Sequence, residues 1–580
     1  MTRIRPGNVA LKVLNQYRRR DVIAYLALRY YLENQAARTD YWAQSVAVNI
    51  VMTRSDPGYF PSEHFKEIDQ GRIKHRTIHL PCANEAVAET ALLSKCAGIG
   101  WFKNPSSVYS YHLAEEGSRF GIYRDYFSGL CSRQKDIAAA CTANSKSVVR
   151  ILDIQKCYPS IRLELAVKSW RTACNVSSLG TVYRELGLKL LHDYRHTNLQ
   201  GIAGLPTGPM FSHLIANLVL RAVDDIGRKS TAVRYFRYVD DLVLVGERRD
   251  VEKLNSDLKS LLDDMGLKLH GLDSPKCLEL SSATWLHGKD DYRRDTDDTT
   301  WLCLLREIKQ FLIKFPSQKD SLIKAIHDSG MRLPVRDYSA IVKEATNVTW
   351  YSRMAKFKWF RKMVQATSIE SVISIARRLE KLYRTEFERL ISEAPGLTGY
   401  ERKRCVPKVR FCLSRLLYLA SDDDLRRLSN LALEMPELVV QAEVGLAIVT
   451  GHVEKVLHMG TNVAQAVSQP IRATNRSVEV NGDSFPVAKA QSLAVVIMNG
   501  IPVRCSSEIN LPQVSPLMDL AIRGGSLGLM KSRDNFISEF ACLHGISDHA
   551  RHPDMIDCAI DEDESLIVDT IDQLNQSNNY

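Results

Sequence analysis

The sequence predicts an α+β fold, with a mixed region of short strands and helices followed by an almost wholly helical half. Three observations lead there. Short β-like runs (Thr77–Leu80, Val148–Leu152 and Tyr235–Val245) alternate with helical stretches between about residues 72 and 288. Two adjacent carboxylates, in Tyr238-Val239-Asp240-Asp241, sit between the apolar runs Val233–Arg237 and Leu242–Gly246, the pattern of a short hairpin with acids at its turn. After about Leu302 the periodicity is helical, broken at Pro316, Pro334, Pro407, Pro436 and Gly451.

The elements follow in order. Residues 1–70 read as mostly helical, with Leu11, Val13, Leu14 and Tyr17 on one face and Val22, Tyr25, Leu26 and Leu28 on the next. Val148–Leu152 is a continuous apolar strand broken only by Arg150, and it ends on Asp153. Gly204-Leu205-Pro206-Thr207-Gly208-Pro209 forces an irregular loop, and from Met210 a helix begins with Leu214, Leu218 and Ala222 on one stripe. In the second half Pro407 opens a run through Leu419. Ser421 with Asp424 caps a helix to about Glu434, and Pro436 opens another that ends near Gly451. These helices fit a HEAT-like solenoid and an irregular helical domain equally well. Ser477–Val487 predicts a hairpin around Asn481-Gly482, and residues 561–580 predict a disordered acidic tail.

A chain of 580 residues with 45% hydrophobic content can bury the cores of two or three domains. The formal net charge of +10 favours a polyanionic partner. Thirteen scattered cysteines, an odd number with no Cys-x-x-Cys, argue against a zinc ribbon or a disulfide framework and for a reducing compartment. Met1–Arg20 is basic without a continuous apolar stretch, so no signal peptide is expected, and no run is long enough to span a bilayer. The expectation is a cytoplasmic protein without membrane contact.

The acids carry the chemistry. Like charges held close in a half-buried place are costly without a cation, and a divalent metal supplies one. Asp153, at the end of a buried strand, is well placed to share that metal with the Asp240-Asp241 turn. Tyr158 follows five residues later, where the chain leaves the strand. The loop before Met210 offers free backbone N–H groups at a helix N-terminus, which suit a phosphate or the face of a base pair.

Together these segments resemble motifs A, B and C of reverse transcriptases, and more closely those of the bacterial retron, abortive-infection and defence-associated group. Motif A is Asp153 to Ile161, with Cys157 in place of the first aromatic. In motif B, Thr207 stands where glutamine is usual, while Ser212, Ala216 and Asn217 are in place; Gly208-Pro209 is a variant of the defence group. Motif C is Tyr238–Asp241. Met265–His270 followed by Lys276 is similar to motif D, and Trp285–Gly288 to a degenerate motif E. Lys74–Pro81 resembles the basic strand of the fingers, and Ser110-Tyr111-His112 the Ser-Tyr-Arg of the defence group. The resemblance covers about residues 70–290.

That resemblance implies right-hand-type polymerase fingers and palm, with an antiparallel palm sheet and helices, over residues 71–295. An N-terminal helical segment (1–70), a thumb-like helical region (296–400) and a helical C-terminal domain (401–580) surround them. It implies two Mg²⁺ ions held by Asp153, Asp240, Asp241 and the backbone of Ile154. Lys276 would protonate pyrophosphate, and Tyr158 would act as the steric gate against a 2′-hydroxyl. Lys74 and Arg76 would clamp the triphosphate, with Thr207, Gly208 and Ser212 lining the nucleotide site. Lys356, Lys358, Trp359 and Arg361, in a run that interleaves basic and aromatic residues, would track nucleic acid; the same run also fits an amphipathic helix. His192 with His196, and His544 with His549 and His552, read as structural.

The implied activity is RNA-directed or non-templated DNA synthesis in antiphage defence. Partners would be dNTPs, a non-coding RNA template and the DNA product, with a second protein of the same operon or a second copy of the chain as further candidates. A protein hydroxyl could prime, and Tyr25, Tyr30, Tyr31 and Tyr41 are available near the N-terminus. The rival is a catalytically silent palm that binds RNA or a phage protein through its helical half.

Overall fold

The structure is a computed structural model. It describes residues 6–17, 21–115, 121–197, 204–287, 301–335, 368–480, 486–505, 527–545 and 551–557, less some single positions inside those spans. Lys356, Lys358, Trp359, Arg361, His549 and the acidic tail lie outside the described residues. The chain divides into two compact units. One comprises residues 1–19, 27–61 and 77–293, the other residues 20–26, 62–76 and 294–580.

The N-terminal elements are α1 (Asn8–Tyr17), α2 (Val22–Tyr31), a π-helical turn Trp42–Ala47 and α3 (Val48–Thr53). A hairpin follows, β1 (Tyr59–Asp69) and β2 (Arg72–Pro81). Its first strand corrects the helical expectation for residues 1–70. Tyr59–Asp69 carries Pro61 and a polar run, so neither alternation nor a helical stripe marks it, and pairing with β2 decides its form.

Next come α4 (Ala83–Ala97), α5 (Tyr126–Ala143), β3 (Val148–Asp153), α6 (Cys157–Ser160), α7 (Leu163–Asn175), α8 (Thr181–Thr197), α9 (Met210–Val219) and α10 (Arg221–Lys229). The unit closes with β4 (Arg234–Tyr238), β5 (Asp241–Gly246), α11 (Arg248–Asp264), β6 (Leu278–Ser281) and α12 (Ser282–His287). The four strands form an antiparallel sheet in the order β4-β5-β3-β6. Leu242, Val243, Leu244 and Val245 are all buried, because α5 and α11 both pack against β5; a strand covered on both faces reads as a continuous apolar run. Arg150, the one break in the β3 run, lies opposite Glu279 on β6 and forms an ion pair with it. Every residue of α9 is buried, and Phe211 meets Trp170 of α7 edge-on at 5.0 Å.

In the second unit, helices cover Ile369–Glu393, Gly399–Leu419, Asp422–Ala432, Val439–Thr450, Thr461–Ala473 and Val487–Met498. Ser421 caps its helix as expected, its Oγ accepting from Asp424 N at 3.2 Å. Pro407 does not open a helix but lies inside one that starts at Gly399. Asn481 and Gly482, the centre of the expected hairpin, lie outside the described residues. β7 (Val478–Val480) pairs in parallel with β8 (Val503–Cys505), and the helix Val487–Met498 forms the crossover that parallel strands require. The outer half of the β1–β2 hairpin belongs to this unit, where Glu63 N donates to Gln491 Oε1 and Phe65 N to Asn462 Oδ1, each at 2.9 Å. No helix among the described residues is long and apolar enough to cross a membrane.

Asp21 gives this unit a measurable pH dependence. Its Oδ1 accepts from Ile23 N at 2.9 Å and Ala24 N at 3.3 Å, capping α2, and it is 1% exposed. Burial pushes its carboxyl up to about 6, against the pull of those hydrogen bonds. A raised carboxyl contributes stability below its unfolded value and loses it as pH rises through the folded one. Asp21→Asn keeps a good cap and should be more stable than wild type at pH 7, by at most about 3 kcal/mol. The gain should vanish near pH 4 in urea unfolding.

Candidate active site

The strand register brings the acids together. β3 and β5 are neighbours, with Asp153 opposite Asp241. β4 and β5 are joined by a two-residue turn, Val239-Asp240, between the paired Tyr238 and Asp241. Asp240 offers its carbonyl to Ile154 N at 3.2 Å, so the backbone of motif A touches that of motif C. On the other side, Ile154 bridges Leu269, and His270 N donates to the Asp153 carbonyl at 2.9 Å. The segment like motif D therefore lines the same strand end.

The turn is held under strain. Val239 has φ +56°, a left-handed value that is an outlier for a β-branched residue and is usually taken by glycine at this point of a hairpin. Two side chains fix it: Ser110 Oγ accepts from Val239 N at 2.7 Å, and Arg237 Nη1 donates to the Val239 carbonyl at 3.0 Å. Arg237 is 1% exposed and anchored in turn by Asp224 at 2.7 and 2.8 Å and by Asn217 Oδ1 at 3.1 Å. Tyr111 and Lys156 also have positive φ, so three of the four non-glycine outliers among the described residues flank the acids, as strained backbone at functional sites does.

The acids themselves are electrostatically tense. The Asp241 carboxyl is pushed up to about 6 by loss of surrounding water, opposed by Arg133 and reinforced by the charges of Asp240 and Asp153. Asp153 is buried, and Lys276 Nζ lies 3.3 Å from its Oδ2. Arg133 Nη1 lies 3.9 Å from Asp241 Oδ2, and Arg133 Cζ lies over the Tyr238 ring, 5.2 Å from its centroid. Asp153, Asp240, Asp241 and the Ile154 carbonyl offer oxygen donors, the type that suits a hard divalent cation. Among the described residues, no three acidic, histidine or cysteine side chains are gathered around one point; the cations that meet these acids are the protein's own Lys276 and Arg133.

The loop like motif B is stitched to motif A. Leu205 N donates to the Tyr158 carbonyl at 3.0 Å, and a Cβ on Gly204 would lie 2.0 Å from the Pro159 oxygen, so only glycine lets the chains approach. Thr207 accepts from His79 N at 2.7 Å, and Gly208 needs both φ +124° and a bare Cα, since a Cβ would lie 2.3 Å from the His79 oxygen. Ser212 is fully buried in α9. Tyr158 is 8% exposed, and its hydroxyl lies 2.6 Å from His213 Nδ1.

The remaining expected residues have the following surroundings. Lys74 and Arg76 belong to the second unit, where the Lys74 ammonium pairs with Asp69. Trp285, in the segment like motif E, is buried in the helix α12, whose first residue Ser282 is tied by N and Oγ to the Ser147 carbonyl. His192 and His196 are exposed and lie one turn apart on α8.

Sequence reasoning missed several residues that build the site: Arg133, Arg237, Asp224 and Glu89. Arg237 had a signal, a charge set between the aromatic residues Phe236 and Tyr238 of β4. Glu89 had none. Fully buried, it accepts at Oε2 from Met210 N (2.9 Å) and Phe211 N (3.2 Å), capping α9. At Oε1 it accepts from Tyr59 and from Tyr194, the latter at 3.0 Å. Glu89→Gln sets an amide donor against N–H or O–H donors. It should cost about 1–3 kcal/mol in urea unfolding and raise the KM for nucleotide more than it lowers kcat.

A match to a protein-family model agrees with this geometry. Residues 122–280 match the family model for reverse transcriptase (RNA-dependent DNA polymerase). No curated protein matches the chain. Among solved structures, apo telomerase from Candida tropicalis is similar at 11% identity and TM-score 0.27, over 40% of this chain and 46% of that one. Telomerase from Candida albicans, in complex with a TWJ fragment of telomeric RNA, is similar at 10% identity and TM-score 0.27, over 63% of this chain and 64% of that one. The chain thus spans less than two thirds of either telomerase. The family match encloses Asp153, the motif B loop and the Asp240-Asp241 turn, and the chain carries a reverse transcriptase domain, the nucleotidyltransferase domain of RNA-directed DNA polymerases.

Proposed function

We propose that this protein synthesises DNA from dNTPs with two Mg²⁺ ions, on an RNA template or without one, and that it serves in antiphage defence. The observation that carries the chemistry is the β3–β5 register that sets Asp153 opposite Asp241. Asp153, Asp240, Asp241 and the Ile154 carbonyl would hold the ions. Mg²⁺ held there would lower the pKa of the attacking hydroxyl and offset the charge of the triphosphate and of the leaving pyrophosphate. Lys276, whose Nζ lies 3.3 Å from Asp153 Oδ2, would hand a proton to that leaving group. Tyr158 bars a 2′-hydroxyl, and Thr207, Gly208 and Ser212 shape the wall against which the new base pair rests. The defence role is supported by the Gly208-Pro209 variant and by Ser110-Tyr111-His112, whose serine clamps the catalytic turn.

The test is incorporation of labelled dNTPs by the purified full chain with Mg²⁺, together with sequencing of the nucleic acid that co-purifies from cells. Incorporation, with a bound RNA or a covalently attached DNA, is expected. A wild-type protein inert with every primer and template would favour the silent scaffold instead.

A further inference from the structure

Tyr158 is the residue that the proposed function places under the incoming sugar, and its far end is anchored. The hydroxyl lies 2.6 Å from His213 Nδ1, and His213 is 3% exposed. The imidazole has little freedom of its own. It stacks on Tyr111, with centroids 3.8 Å apart and planes 8° from parallel. Tyr123 stands edge-on to Tyr111 at 5.3 Å and to His213 at 6.0 Å. The Tyr123 hydroxyl donates to the Met210 carbonyl at 2.8 Å. Met210 begins α9, the helix that carries His213, so the brace closes on itself. Tyr111 sits at φ +50°, a backbone cost that persists only where surrounding packing dictates it.

A steric gate needs such a brace. It tells a deoxyribose from a ribose by the room for one oxygen atom, and a tyrosine ring turning about its two side-chain torsions could yield that room. Discrimination of this kind requires a ring whose rotamer is locked by its neighbours. The stack on Tyr111 immobilises His213, and the hydrogen bond passes that immobility to Tyr158.

We propose that His213 is a positioning residue for sugar selection: it holds the Tyr158 ring through the hydroxyl and thereby sets the preference for deoxyribonucleotides over ribonucleotides. This rests on the polymerase function proposed above.

The experiment is a double-mutant cycle on the full chain, read as the ratio of kcat/KM for a dNTP to that for the matching rNTP. Tyr158→Phe removes one oxygen, and His213→Phe removes its partner while keeping a flat ring on Tyr111. Each single variant should lower the ratio about three- to tenfold, mainly through a lower KM for the ribonucleotide. The double variant should lose no more than the larger single loss, because both remove one interaction. A merely structural role would depress both nucleotides alike and leave the ratio unchanged.

An unchanged ratio in either single variant, or losses that multiply, overturns the proposal. Should His213→Phe fail to fold, His213→Leu takes its place in the cycle. Tyr158→Ala separates the levels. If it collapses the ratio while Tyr158→Phe does not, the gate stands and the brace falls. If it leaves the ratio intact, the gate itself is wrong and the brace with it. A wild type that uses neither nucleotide overturns the polymerase function and this proposal together.

Discussion

Asp240→Asn combined with Asp241→Asn should abolish dNTP incorporation, by at least about a thousandfold, without unfolding the protein. Asparagine has nearly the shape of aspartate, and the turn is held by its backbone: Val239 N on Ser110 Oγ, the Val239 carbonyl on Arg237, and the Asp240 carbonyl on Ile154 N. None of these bonds uses the carboxylates. The variant also removes two of three like charges that disfavour one another, as the raised Asp241 carboxyl reflects. Its thermal midpoint at pH 7 in metal-free buffer should therefore be no lower than that of wild type. Activity and stability then move in different directions, which separates loss of chemistry from loss of fold. Incorporation by the double variant at wild-type rate would remove these acids from the mechanism.

Arg237→Leu should be the most destabilising single change in the reverse transcriptase domain, by about 3–5 kcal/mol in urea unfolding. The guanidinium makes four contacts in a dry core: both oxygens of Asp224, Asn217 Oδ1 and the Val239 carbonyl. Asp224 is 1% exposed and would keep the Tyr235 hydroxyl as a donor at 2.9 Å. A buried carboxylate stripped of its cation is the costly outcome, whereas removing both charges is far less so. Arg237→Leu with Asp224→Leu should therefore recover part of the stability. It should not recover polymerase activity, because the Val239 carbonyl still lacks its donor and the turn carrying Asp240 is free to shift. If the double variant recovered both, the link from Arg237 to the catalytic turn would be wrong.

Much of the site was legible in the sequence because it depends on local pattern. The apolar run ending on Asp153 and the hairpin around Val239-Asp240 each announce themselves within about ten residues, and the Gly/Pro loop before Met210 does the same. The β1 strand was not legible, since a polar run with Pro61 takes its form from its partner. The parallel β7–β8 pair was missed for a related reason: Asn481-Gly482 signals a turn, but the partner strand lies beyond a whole helix.

The sequence alone identifies the residues proposed to carry chemistry: three acids, an aromatic after the first, and a glycine-rich loop between them. Only the tertiary structure decided how they are held. It set Asp153 against Asp241 and closed Arg237 on Asp224. It capped α9 with a glutamate 121 residues away and joined Ser110 to a turn 129 residues further on. The physical reason is the range of the forces that write each pattern. Periodicity and turn preference come from neighbours along the chain, so they are readable there. A buried hydrogen bond or ion pair is imposed by desolvation, whose partner is chosen by whatever the folded core brings within 3 Å or so, and that choice leaves no local trace.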